Sequence, residues 1–178
     1  MQQHGYTKRR AWRKLDLSVD AASQEIQAVA LSEASLDDAG AVPELLEQAT
    51  APVAQLSADG AYAKRKVYDA WGKQGIDRVA IPPRRDARIW QQGNGAAPPL
   101  RRDANLRRIR QVGRRRWKQE TADHQRSLAE TAMFRFKTIF GAHLQSRRLP
   151  QQQTEALVKC VALNRMTHLG MPTSYRVA

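Results

Sequence analysis

The chain has 178 residues, of which 42% are apolar, and it carries a formal net charge of +13. This composition excludes a disordered tail, and it predicts one domain at 12–170 between an irregular start at 1–11 and a tail at 171–178. The charge exceeds what solubility needs and indicates a polyanionic partner, above all nucleic acid. No apolar run reaches the roughly 18 residues of a membrane span, so we expect a cytoplasmic protein with no membrane partner.

The first half of the chain predicts strands that alternate with short helices. A run of alternating apolar and polar residues, a polar turn and a second apolar run predict an antiparallel hairpin over 15–31. Acidic residues ahead of a proline predict a helix over 37–50. Strands at 53–58 and 79–81 on either side of a helix at 64–74 then predict a βαβ unit.

The second half of the chain is predominantly helical in pattern. A segment rich in glycine and proline predicts a surface loop over 84–100, and helices are predicted at 104–112, 123–146 and 151–169. Cys160 has apolar neighbours in the last helix, which predicts a buried thiol. Strands early and helices late predict an α/β fold in which one mixed sheet is packed by helices.

Asp59 is a carboxylate just beyond the strand predicted at 53–58. Phosphodiester cleavage assisted by two metal ions needs carboxylates from separate elements that converge at one edge of a sheet. Ligands in open α/β sheets bind beyond the carboxyl ends of the strands, and Gly60 lets the backbone approach closely. The alternative interpretation is a simple Asp-Gly turn, which these two residues by themselves favour.

A second candidate is the row Arg126, Glu130 and Lys137. Spacings of four and seven place the three side chains on one face of a helix. A carboxylate between two cations suits a metal ion whose neighbours bind DNA phosphates. The alternative is a row of surface ion pairs worth a few tenths of a kcal/mol each, and the spacing alone favours this alternative.

Positive charge is concentrated in one stretch of the chain. There is no Lys or Arg from Leu15 to Ala63, whereas nine basic residues lie between Arg101 and Lys118. A solvated basic helix is the alternative interpretation, and the density of the charge argues against it. The basic residues of this stretch are Arg101, Arg102, Arg107, Arg108, Arg110, Arg114, Arg115, Arg116 and Lys118.

Four segments closely resemble the DDE transposases of bacterial insertion sequences. They are Arg-Lys-Leu at 13–15, Ala-Asp-Gly-Ala-Tyr at 58–62, Ile-Pro-Pro-Arg at 81–84 and Arg-Ser-Leu-Ala-Glu-Thr-Ala-Met-Phe-Arg-Phe-Lys at 126–137. The similarity continues through Ala-Leu-Asn-Arg-Met at 162–166 and Leu-Gly-Met-Pro at 169–172, so it covers essentially the whole chain. Four motifs in the same order make coincidence an inadequate explanation.

The resemblance implies an RNase H-like mixed sheet with flanking helices. It implies that Asp59 is the second catalytic aspartate of the family and Glu130 its catalytic glutamate, and that both bind Mg²⁺ or Mn²⁺. In the Tyr, Arg, Glu, Lys signature of the family, Arg126, Glu130 and Lys137 match, whereas Asp123 stands at the position of the tyrosine. The resemblance also implies that the basic stretch follows a DNA backbone without sequence preference and with a strong dependence on salt.

The resemblance places the first catalytic aspartate of the family on a strand that precedes the one at 15–19. This chain begins after that strand, so we expect an N-terminally truncated domain with weak metal binding and little activity by itself. Asp16 and Asp20 are possible substitutes for the missing carboxylate. However, Asp16 alternates with the apolar residues of its strand and Asp20 enters a turn, which argues against both.

Three hypotheses for function remain open from the sequence. The first is a transposase, or an inactive remnant of one, whose intact relatives cut and join DNA ends by metal-assisted attack of water and then of a 3′ hydroxyl. The second is a non-catalytic DNA-binding protein that forms oligomers with itself or with full-length transposase and interferes with it. The third is a decayed fragment whose hairpin has an unpaired edge prone to association.

Overall fold

The computed structural model describes residues 12–49, 52–76, 78–91 and 100–170. The start predicted at 1–11 and the tail predicted at 171–178 lie outside the described residues. The strands are β1 (Arg13–Val19), β2 (Ile26–Glu33), β3 (Gln55–Ser57) and β4 (Arg78–Ala80). The α-helices are α1 (Val42–Glu47), α2 (Arg65–Lys73), α3 (Arg101–Glu120), α4 (Ser127–Phe140) and α5 (Leu149–His168), with 3₁₀ turns at Asp38–Gly40, Gly60–Tyr62 and Asp123–Arg126.

β1 and β2 form the predicted antiparallel hairpin, with Leu17 opposite Val29. Asp20 organises the turn, because its Oδ2 accepts the backbone N–H groups of Ala22 and Ser23 at 3.1 and 2.7 Å. The N–H of Ser23, followed by its hydroxyl, holds the pKa of Asp20 below the ordinary value. Asp20 is therefore a turn residue, as the sequence predicts.

The predicted βαβ unit is also confirmed. β3 and β4 pair in parallel, with Leu56 opposite Val79, and α2 connects them. The apolar face of α2 buries Val67 and Trp71 in a core that includes residues of α1 and β4. This core lies along one side of the space that separates the β1–β2 pair from the β3–β4 pair.

The α/β class is confirmed, but the one mixed sheet predicted from the sequence is not what the described residues show. They form two separate two-stranded sheets, β1–β2 and β3–β4. The physical reason is that β3 and β4 are only three residues long, and a cavity lies where a single sheet would join β1 to β3. Three residues supply few ladder hydrogen bonds to close such a gap.

α4 and α5 pack on the hairpin and form a second core. Phe136 of α4 and Leu163 of α5 meet Ile26 there, with Leu15 and Leu17 of β1 packed against them. Cys160 belongs to the same core, and burial raises the pKa of its thiol to about 11, which confirms the predicted buried thiol. α4 ends at Phe140, six residues earlier than predicted at 146, because Gly141 takes a φ of 79°.

α3 is longer than predicted and is sharply bent. Gly113, at φ 80° and ψ 154°, interrupts it, and the helix resumes on the other side. Arg108 makes two hydrogen bonds to Glu120 of 2.8 and 2.7 Å. In a straight helix these residues would lie about 18 Å apart along the axis, so the two halves bend back toward each other. Within the described ranges, no helix is both long and apolar enough to cross a membrane.

Candidate functional site

A cavity of about 1130 Å³ lies between the two sheets. One wall is the edge of β1 with the turn that follows it, and the opposite wall is β3 with its flanking residues, 52–59. Side chains of α1 and α2 close one side, and those of α4 close the other. Asp59, Arg126, Glu130 and Lys137 all line this cavity, so the structure brings together residues that the sequence placed on two separate elements.

Asp59 is exposed at the wall of the cavity and is held in place by the backbone. Its Oδ1 accepts the N–H of Ala61 at 2.7 Å and so caps the 3₁₀ turn Gly60–Tyr62. A Cβ atom on Gly60 would lie 3.1 Å from the carbonyl oxygen of Pro82, a tight contact that favours glycine at this position. The Asp-Gly pair therefore forms a turn, and this turn fixes a carboxylate at the cavity.

Asp16 lines the same cavity. Its side chain lies on the face of β1 opposite to Leu15 and Leu17, and its Oδ1 accepts the Tyr62 hydroxyl at 2.9 Å. Tyr62 belongs to the turn that Asp59 caps, so the two carboxylates are connected through one short segment. The alternation of the sequence predicts the face of Asp16 but not this contact.

Glu130 is paired with one of the two cations beside it. Arg126 Nη1 donates to Glu130 Oε1 at 2.8 Å, and the Glu130 side chain is 64% exposed. An ion pair this accessible contributes little to stability. Lys137, two turns further along the same face of α4, has no ion pair with any residue of the described ranges. The row is therefore an incomplete set of ion pairs that faces the cavity.

Asp123, which the resemblance of the sequence sets against the tyrosine of the signature, is buried and is not among the residues that line this cavity. It forms an ion pair with Lys118 at 3.3 Å. Its Oδ1 has no hydrogen-bond partner among the described residues. The residue therefore links the end of α3 to the 3₁₀ turn Asp123–Arg126.

The donor atoms at the cavity suit a hard divalent cation, but they do not form a complete metal site. Asp16, Asp59 and Glu130 supply carboxylate oxygens, the ligands that Mg²⁺ and Mn²⁺ prefer. Within the described ranges, no group of three or more His, Cys, Asp and Glu side chains is arranged to hold a metal ion. The carboxylates thus fit such an ion by chemistry and by their shared cavity, and Glu130 would have to leave Arg126 to act as a ligand.

Arg102 and Asp103 form a buried ion pair at the start of α3. Arg102 Nη1 lies 3.0 Å from Asp103 Oδ1 and donates to the carbonyl of Arg88 at 2.8 Å. The guanidinium also stacks 3.7 Å from the centre of the Trp90 ring. Asp103 in turn accepts the backbone N–H groups of Trp90 and Gln91. Arg102 is thus used inside the protein, where DNA cannot reach it.

Three further arginines of α3 hold the same segment, residues 83–91. They donate to its backbone carbonyl groups: Arg107 to Gln91 at 2.8 Å, Arg110 to Ala87 at 3.4 Å and Arg114 to Pro83 at 2.7 Å. Sequence reasoning missed this role, because no local pattern shows that an arginine will bind a carbonyl more than ten residues away. The exposed cations of the basic stretch are Arg101, Arg108, Arg110, Arg115 and Arg116, with Lys118 half-buried.

A basic α/β protein with carboxylates and cations around one cavity has the chemistry expected of a protein that binds polyanions such as nucleic acids. The family model described as the transposase DDE domain matches residues 1–165. The chain therefore belongs to the DDE transposase domain family, whose members bind DNA and use divalent metal ions. No solved structure matches the chain.

Proposed function

We propose that this chain is a transposase of a bacterial insertion sequence with an RNase H-like fold. Asp59 and Glu130 are its metal-binding carboxylates, and Arg126 and Lys137 bind the phosphates of the DNA. One observation carries the proposal: four side chains from two distant parts of the chain, residue 59 and residues 126–137, line a single cavity. Residues 59 and 126 are far apart in the sequence. A row of surface ion pairs on one helix would give no reason for Asp59 to lie beside it.

The ion pair between Arg126 and Glu130 suggests how DNA and metal binding are linked. A phosphate that accepts hydrogen bonds from Arg126 replaces Glu130 as the partner of that guanidinium. Glu130 is then available to a cation, together with Asp59. A divalent ion held there would polarise the phosphodiester and lower the pKa of a bound water. Lys137 adds a second positive charge on the same helix face for the DNA backbone.

The bent helix α3 supplies a second surface for DNA. The arginines that bind carbonyl groups of residues 83–91 keep the helix fixed, and Arg108, Arg115 and Arg116 remain on the outside. Contacts of this kind go to phosphates and fix the position of the duplex without reading its sequence. The affinity for DNA is therefore expected to fall steeply with salt.

A cleavage and joining assay tests the proposal directly. Labelled DNA that carries the ends of the parent element is incubated with the chain and Mg²⁺ or Mn²⁺, and the Glu130→Gln and Glu47→Gln variants are compared. Glu47 is an exposed glutamate on α1 and serves as the matched control. We expect few products from this chain by itself, and those that depend on metal should be abolished by Glu130→Gln and retained by Glu47→Gln. Products that survive Glu130→Gln would contradict the proposed site.

The second candidate function is a non-catalytic DNA-binding protein that pairs with full-length transposase and lowers its activity. The observation that favours it is that, in the described part of the chain, no three His, Cys, Asp or Glu side chains are arranged to hold a metal ion. DNA binding without cleavage in either metal, together with inhibition of an active relative when the two are mixed, would support this function over the first. Cleavage lost in Glu130→Gln would exclude it.

A further inference from the structure

A hydrogen bond between two side chains crosses from the first sheet to the segment that follows the second. Tyr62 Oη donates to Asp16 Oδ1 at 2.9 Å. Asp16 belongs to β1, whereas Tyr62 lies in the 3₁₀ turn that comes soon after β3. Within the described residues β1 and β3 belong to separate sheets, so side-chain contacts such as this one, rather than a common ladder, set the position of the turn relative to β1.

The Tyr62 end of this bond is coupled to the carboxylate of Asp59. The backbone N–H of Tyr62 donates to the carbonyl of Asp59 at 3.2 Å. The Asp59 side chain in turn accepts the N–H of Ala61 at 2.7 Å and caps the same turn. Because these bonds close one short segment, a movement of Tyr62 also moves the carboxylate of Asp59.

The Asp16 end of the bond is coupled to the helix that carries Glu130. Leu15 and Leu17, the neighbours of Asp16 in β1, pack against the core that contains Phe136 of α4. Glu130 lies on the same helix and lines the same cavity as Asp16. The bond between the two side chains therefore connects the strand packed against α4 with the turn that holds the other proposed metal ligand.

We propose that Asp16 and Tyr62 are positioning residues for the metal site: their hydrogen bond holds the turn where Asp59 and Glu130 can bind the same divalent ion. This role rests on the proposed function. Asp16 is not a ligand in it, because the carboxylate is used to hold the Tyr62 hydroxyl. Contacts that orient metal ligands are important for binding, and their loss typically lowers metal affinity by about 10- to 100-fold.

The alternative interpretation is a hydrogen bond that stabilises the fold and has no effect on the site. Tyr68 provides the matched control for this alternative. Tyr62 and Tyr68 contribute to the same hydrophobic core, but Tyr68 is not among the residues that line the cavity. Tyr68→Phe therefore removes a hydroxyl from that core without altering the cavity wall, whereas Tyr62→Phe removes the donor to Asp16 and retains the ring.

Binding of Mn²⁺ to the full chain in the presence of duplex DNA, measured by electron paramagnetic resonance, tests the positioning role. We expect Tyr62→Phe and Asp16→Ala each to weaken binding by about tenfold, because the carboxylate of Asp59 loses its fixed position. Asp16→Asn retains an oxygen that accepts the Tyr62 hydroxyl, so it should bind nearly as the unaltered chain does. Tyr68→Phe should also bind as the unaltered chain does.

Amide hydrogen exchange without metal or DNA provides an independent measurement. The N–H of Ala61 donates to Asp59 and so reports whether the turn is held in place. We expect faster exchange at Ala61 in Tyr62→Phe and in Asp16→Ala, because local opening of the turn then costs less free energy. Asp16→Asn and Tyr68→Phe should leave this exchange unchanged. A melting curve for each variant separates the local effect from a loss of the whole fold.

Three results would overturn the positioning role and leave Asp59 and Glu130 as ligands. The first is undiminished Mn²⁺ binding by Tyr62→Phe, and the second is unchanged exchange at Ala61 in that variant. The third is equal weakening of Mn²⁺ binding by Asp16→Asn and Asp16→Ala, since the charge of Asp16 would then matter rather than its bond to Tyr62. An unaltered chain that binds no Mn²⁺ beside DNA would instead overturn the proposed function, and this role with it.

Discussion

Replacing Asp103 by alanine tests the contacts that hold residues 83–91 against α3. The carboxylate is fully buried and binds Arg102 together with the backbone N–H groups of Trp90 and Gln91. Its removal leaves a guanidinium that is only 7% exposed without its countercharge. Loss of one member of a buried ion pair costs about 3–5 kcal/mol of unfolding free energy. For a chain of this size that corresponds to a fall of about 6–20 °C in Tm.

Thermal unfolding followed by circular dichroism measures this loss, and Asp86→Ala is the matched control. Asp86 is an exposed carboxylate of the same segment, so its removal should leave Tm nearly unchanged. The double variant Arg102→Met with Asp103→Leu removes both charges and should recover part of the stability. A Tm for Asp103→Ala equal to that of Asp86→Ala would refute the interpretation of a buried, structural ion pair.

Three further predictions follow from other contacts. Burial works against ionisation of Glu155, yet Lys159 and two backbone N–H groups hold its pKa at about 2. The stabilisation this provides is complete above the unfolded value near 4.5 and is lost as the pH falls toward 2, so Glu155→Gln should flatten acid unfolding curves in that range. Cys160 should react with a thiol reagent at pH 8 only after denaturant is added, and rapid reaction in the native protein would disagree with its burial. Arg115→Ala should lower the salt slope of DNA binding by about one, whereas the uncharged Gln111→Ala should leave it unchanged.

The hairpin, the βαβ unit and the late helices were predictable because each has a local signature. Alternation along β1 specifies which side chains face the core, and the apolar spacing in α2 specifies its buried face. The prediction of a single mixed sheet was wrong because it depended on the packing of distant segments. Whether β1 joins β3 depends on what lies between them, and no local pattern in either strand contains that information.

The motifs in the sequence marked Asp59 and Glu130 as candidate site residues. They did not predict which side chains contact the site. The bond from Tyr62 to Asp16 and the ion pair between Arg126 and Glu130 depend on how separate elements pack. The basic stretch shows the same limit. Charge density predicted a DNA surface, whereas the side chain of Arg102 and several of its neighbours bind groups within the protein. The number of charges in the stretch does not show which arginines are held by hydrogen bonds within the protein and which are exposed to solvent.

Binding of Mn²⁺ in the presence of duplex DNA tests the central claim most directly. Free Mn²⁺ gives an electron paramagnetic resonance signal, and its loss reports the ion bound to the protein and DNA. The account predicts that Asp59→Asn and Glu130→Gln each weaken the protein-dependent binding by about tenfold or more, since each removes a hard oxygen ligand. Glu47→Gln should bind as the unaltered chain does. Equal binding in all four proteins would contradict a metal site formed by Asp59 and Glu130.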